Sequence, residues 1–103
     1  GNFGFNPGDF IEEVVQNPSD PEEIVNVLTD MMFPETPSKE RKQYFIDTFL
    51  FDGGSLLQEG NAKYYYWNEL WSKYQDGKKT QIVNDILESL IEALIRSQEY
   101  QTT

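Results

Sequence analysis

The chain has 103 residues, 15% of them aromatic, with no cysteine, no histidine and a formal net charge of −10. That length suits a single domain with a modest core. The missing residue types exclude disulfides, thiol nucleophiles, imidazole bases and zinc sites of the usual ligand sets.

Only eight Lys and Arg stand against eighteen Asp and Glu, so a nucleic-acid partner is not expected, because phosphate neutralisation needs a basic face. Residues 1–38 carry eight acids and no base, whereas residues 39–103 carry ten acids and eight bases. A basic partner or calcium-rich surroundings would suit the first part, but a solvated acidic surface that aids solubility is the preferred reading. No apolar run reaches the length of a membrane span, and no cationic segment precedes an apolar one as in a signal peptide.

In chain order, Gly1 to Gly8 mixes glycines with Phe3 and Phe5 and reads as an irregular arm. Asp9 is then expected to cap a short helix burying Phe10, Ile11, Val14 and Val15, closed by Asn17-Pro18. Asp20-Pro21-Glu22-Glu23 is a stronger start, with an acidic cap, proline at the first helical position and Glu at the third. The helix that follows should bury Ile24, Leu28 and Met31, flanked by Val25, Val27 and Met32, with Glu22, Asn26, Thr29 and Asp30 outward.

A third helix is expected from Pro37, capped by Thr36 or Ser38, to about Phe51. Phe45, Ile46, Phe49 and Leu50 face inward, and Tyr44 falls on the polar side with Asp47 and Thr48. Asp52-Gly53-Gly54 should stop it, and Ser55 to Gly60 has the makings of a helical turn. A fourth helix spans Ala62 to Gln75, with Asn61 as cap and Asp76-Gly77 as stop. Its seam is Trp67, Leu70, Trp71 and Tyr74, with Tyr64 and Tyr66 flanking it and Tyr65 pointing away beside Glu69 and Ser72.

The last helix, Thr80 to Arg96, carries apolar residues from Ile82 to Ile95 over roughly 220° of its circumference. A surface helix needs about half of that. It is therefore expected at the centre, with Leu90 fully buried, Trp71 packed against it, and Asp85, Glu88, Glu92 and Arg96 along a solvent edge. Ser97 to Thr103 reads as a polar tail. The fold class that follows is all-α: one domain over residues 1–103, a compact bundle of four to five helices around a central C-terminal helix.

Motifs for chemistry are sparse. Each acid has a role as cap, first-turn dipole partner or solvent edge, which leaves no catalytic pair singled out for a carboxylate-based hydrolase. Neither Asp52-Gly53-Gly54-Ser55 nor Asp76-Gly77 has calcium-loop spacing, and Gly77-Lys78-Lys79-Thr80 lacks the phosphate-loop pattern. No metal and no cofactor is expected. The aromatic run from Tyr64 to Trp71 invites a carbohydrate-binding reading, since flat rings stack on sugar faces. With the tryptophans assigned to the core, the platform for a sugar would be Tyr65, Glu69 and Tyr44.

Several stretches together resemble the C-terminal part of a family of large bacterial proteins known as domain of unknown function number eighteen hundred. They are Asp20-Pro21-Glu22-Glu23-Ile24-Val25, Met32-Phe33-Pro34 leading into Arg41-Lys42-Gln43-Tyr44-Phe45, Trp67-Asn68-Glu69-Leu70-Trp71-Ser72-Lys73-Tyr74, and Ile95-Arg96-Ser97-Gln98-Glu99-Tyr100-Gln101. The resemblance implies a helical portion excised from a longer, exported protein, secreted or in the cell envelope, with no activity to carry over. Gly1 then reads as an expression scar. The function expected first is a non-catalytic helical interaction or structural module that docks onto its own upstream domain or another protein. The alternatives are a carbohydrate-binding domain and, behind it, a carboxylate-based hydrolase.

Overall fold

The computed structural model of the chain describes residues 6–50 and 67–101. Among them 78% are helical and none is in a strand, which makes the fold an all-α bundle of five helices. These are α1 (Pro7–Val14), α2 (Pro21–Met32), α3 (Lys39–Phe45), α4 (Trp67–Gln75) and α5 (Thr80–Gln101), with a π-helical turn over Ile46–Leu50 continuing α3.

The helix starts follow from local chemistry. Asn6, and not Asp9, caps α1: its side-chain oxygen accepts the Asp9 N–H, and Pro7 takes the first position, where its missing N–H costs nothing. The expected arm therefore ends at Asn6, because Pro7 and Gly8 are helical and buried; residues 1–5 lie outside the described part. Asp20 caps α2 as expected, accepting from the Glu22 N–H at 3.0 Å. Glu23 does not close a capping box. Its carboxylate turns to the preceding loop and accepts the Gln16 and Asn17 N–H groups, each at 3.1 Å, satisfying backbone donors of the loop that follows α1. Ser38 is the cap of α3, so Pro37 precedes the helix rather than opening it.

The end of α4 is a Schellman motif. Lys78 N–H reaches back to the Lys73 carbonyl at 2.8 Å and Gly77 N–H to the Tyr74 carbonyl at 2.9 Å, with Gly77 at φ +80°. The stop expected at Asp76-Gly77 is thus present. Those expected at Asp52-Gly53-Gly54, at Ser55 to Gly60 and at Asn61, with the first turn of the fourth helix and Tyr64 to Tyr66, lie outside the described residues.

Burial confirms some faces and rotates others. On α4, Trp67, Leu70 and Trp71 are buried and Tyr74 half-buried, as the seam requires. The Trp71 ring lies between Trp67 at 5.9 Å and Tyr74 at 4.7 Å. On α2 the stripe is turned by roughly 60° at 100° per residue from the expected one. Thr29 is buried and Met31 is 55% exposed. The inward threonine costs little, because its hydroxyl donates to the Val25 carbonyl of its own helix at 2.8 Å. On α3, Phe45, Ile46 and Leu50 are buried, and the π turn lets Phe45 and Leu50, five apart, share the inner side.

The last helix packs against α1, α2, α4 and the π turn, which makes it the centre of the bundle. Val83, Ile86, Leu87, Leu90, Leu94 and Ser97 are buried. They span about 100° of the helix. The expected 220° is too wide: Ile82 and Ile91 are half-buried margins and Ile95 is 45% exposed. The supposed polar tail from residue 97 is instead a continuation of α5 to Gln101, anchored by buried Ser97 against Arg41.

Candidate functional site

Two features bring α3 and the C-terminal half of α5 into one surface groove. The π turn packs on α5 and carries Phe49, stacked on Phe45 at 6.4 Å, onto that helix. Arg41 crosses the gap, and its Nη2 donates to Ser97 Oγ. The result is an open groove of about 290 Å³, with Phe45, Phe49 and Ala93 along it and Arg41, Tyr44, Arg96 and Ser97 at its polar margin.

Charge is unusual in this groove. The chain holds two arginines in all, 55 positions apart, and both line it. Among the described residues no acidic side chain does. The Arg41 guanidinium also sits over the Phe45 ring, 5.8 Å from its centroid, close enough for cation–π attraction. Tyr44 is 58% exposed and meets the edge of Phe45 at 5.3 Å. One large ring, one hydroxyl and two guanidinium groups are thus presented together.

The residues expected to form a sugar platform are not assembled as a set among those described. Tyr44 lies at the groove, whereas Glu69 is exposed on α4 and does not line it. Tyr65 lies outside the described residues. Arg41, Arg96 and Ser97 are the site residues that sequence reasoning missed. The pairing of Arg41 with Ser97 spans 56 positions, and no local pattern announces a contact that distant.

A second hollow, about 270 Å³, is lined by Asp20, Pro21, Glu22, Gln43 and Ile46. Two carboxylates meet there, but Asp20 is committed to the cap of α2, where it accepts the Glu22 N–H. Glu22 is exposed to solvent. Among the described residues no group of three or more Asp and Glu is placed to hold a metal ion, and no helix is long and apolar enough to cross a membrane. The chain matches no protein-family model, no curated protein and no solved structure.

Proposed function

We propose that the chain is a non-catalytic helical interaction module which docks a segment of another polypeptide in the groove between α3 and α5. The observation that carries this reading is the convergence of both arginines with exposed Tyr44 on one apolar hollow. Tyr and Arg are the residue types that dominate binding energy at protein interfaces, because each offers a large contact area with a polar end. The hollow falls just below the usual 300–1,000 Å³ of a small-molecule pocket, which favours one or two side chains of a chain segment over a whole ligand. If the resemblance to family number eighteen hundred reflects origin, the docked segment belongs to the upstream part of the same exported protein, and the module works in the cell envelope or outside the cell.

A carbohydrate ligand is the second reading, favoured by the exposed ring of Tyr44 beside hydrogen-bonding guanidinium groups. Among the described residues no carboxylate pair is singled out for a hydrolase. Selection of phage-displayed peptides on the chain, with counter-selection on a Tyr44→Ala/Arg96→Gln variant, separates the readings. Docking predicts enriched peptides that bind the parent and lose the variant. No enrichment, or clones that bind both proteins equally, would remove this groove as a docking site.

A further inference from the structure

We infer that the groove is a carboxylate clamp: Arg41 and Arg96 hold an acidic side chain of the docked segment while Phe45 and Phe49 cover an apolar neighbour. The inference rests on the docking reading and adds the chemistry of the partner.

Arginine is the informative residue type here. The other six cations of the chain are lysines, whose ammonium is a compact, strongly hydrated point charge. A guanidinium instead offers a planar fork of N–H donors that matches a carboxylate with two parallel hydrogen bonds. Placing both forks of the chain at one hollow supplies that geometry twice.

Among the described residues neither fork is satisfied by an acid. The chain has eighteen Asp and Glu, yet among the described residues Arg41 and Arg96 make no ion pair, and the groove has no acidic lining. Arg41 is nevertheless held in place. One of its five N–H donors goes to buried Ser97, and its plane rests over Phe45. Much of the rotamer freedom that binding would otherwise remove is therefore already gone, and such preorganisation raises affinity. Ser97 acts as a positioning residue.

Charge also selects the length of the partner. At a net charge of −10, a long polyanion is repelled by the rest of the surface, whereas a short acidic segment meets mainly the two guanidinium groups. Screening over about 8 Å at physiological salt confines the attraction to the groove. A hollow of about 290 Å³ takes one carboxylate side chain with one apolar neighbour. The partner is thus an acidic peptide with apolar residues interspersed.

The test uses two fluorescein-labelled twelve-residue peptides, one repeating Asp-Phe-Asp-Leu and one repeating Asn-Phe-Asn-Leu, titrated into the intact chain by fluorescence anisotropy. The Asp peptide should bind about tenfold or more tighter, as charge-assisted hydrogen bonds at the groove require. Arg41→Gln and Arg96→Gln should each bring it near the Asn peptide, and Arg41→Lys, which keeps the charge without the fork, should not restore it fully. Both arginines are exposed, so circular dichroism should show these variants folded. Ser97→Ala should weaken the Asp peptide more than the Asn peptide, which loss of packing alone would not do. Equal affinity for both peptides, abolished by Tyr44→Ala, would overturn the clamp and leave docking standing. No binding of either peptide, or binding indifferent to Tyr44→Ala and both arginine variants, would overturn clamp and docking together. Tighter binding of an oligouronate at the same residues would overturn both in favour of the carbohydrate.

Discussion

Gly8→Ala should destabilise the protein, although alanine is by far the better helix former. A Cβ built on Gly8 falls 2.2 Å from the Tyr74 hydroxyl oxygen, 2.4 Å from Cζ and 2.9 Å from Cε1. Comfortable carbon contacts begin near about 3.5 Å, so the ring would have to withdraw by roughly 1 Å or more. That withdrawal would disturb the ring's stacking on Trp71 at 4.7 Å. The Gly8 backbone cannot yield freely either, since its N–H donates to Asn84 Oδ1 of α5 at 2.8 Å. Overpacking of this kind costs about 1–3 kcal/mol. Loss of the aromatic stacking adds about 0.5–1.5 kcal/mol. The helix preference of alanine returns about 0.5–1 kcal/mol. The net expectation is a loss of about 0.5–4 kcal/mol in urea unfolding. The same substitution in a Tyr74→Ala background, with the obstacle gone, should be neutral or stabilising, and the double-mutant cycle isolates that coupling. If Gly8→Ala matched the parent, or if its cost were the same in both backgrounds, the close approach of α1 to α4 would be wrong.

Leu90→Ala should cost about 2–5 kcal/mol in the same assay, since Leu90 is fully buried at the centre of α5; a loss under about 1 kcal/mol would place α5 at the surface. Trp67 Nε1 donates to the Pro18 carbonyl at 2.7 Å, whereas buried Trp71 Nε1 has no partner among the described residues. Trp67→Phe should therefore be the more damaging of the two phenylalanine substitutions by about 1 kcal/mol, the net worth of one hydrogen bond, and the reverse order in thermal melts would contradict the assignment. Burial, and then the charges of Asp9 and Glu12 and a hydrogen bond to Asp9, hold the Tyr74 hydroxyl above its ordinary value of 10.0. The unfolded chain then releases this proton first as pH rises, so the stability from Tyr74 is whole below pH 10.0 and is lost as pH climbs through the native value. The stability advantage of the parent over Tyr74→Phe should shrink above that pH; an advantage that grows would reverse the sign.

Where a signal is local, the sequence announces the structure. Asp20 with Pro21, Ser38, and Gly77 each act within four residues, and each starts or stops a helix as its chemistry requires. The α4 seam was also legible, since aromatic rings at helical spacing must be covered. Faces were harder to read. Thr29 turns inward because it can bond its own helix, and Met31 turns outward because the neighbours of α2 lie on its other side. The wheel of α5 overstated its burial, because apolar composition does not say how far flanking helices reach around it. The π turn had no signature in residue type. The groove was least legible, since nothing local marks Arg41 and Ser97 reads as the start of a tail until folding joins them.

Chemical-shift mapping of the intact, isotope-labelled chain with an acidic peptide from the selection tests the docking claim most directly. Backbone amides of residues 41–49 and 93–97, together with the side-chain Nε–H signals of Arg41 and Arg96, should move as one saturable set, and Arg96→Gln should shift its saturation to about tenfold or more higher peptide concentration. Shifts centred on Glu69 or on the hollow beside Asp20, or no saturable shift at all, would contradict it.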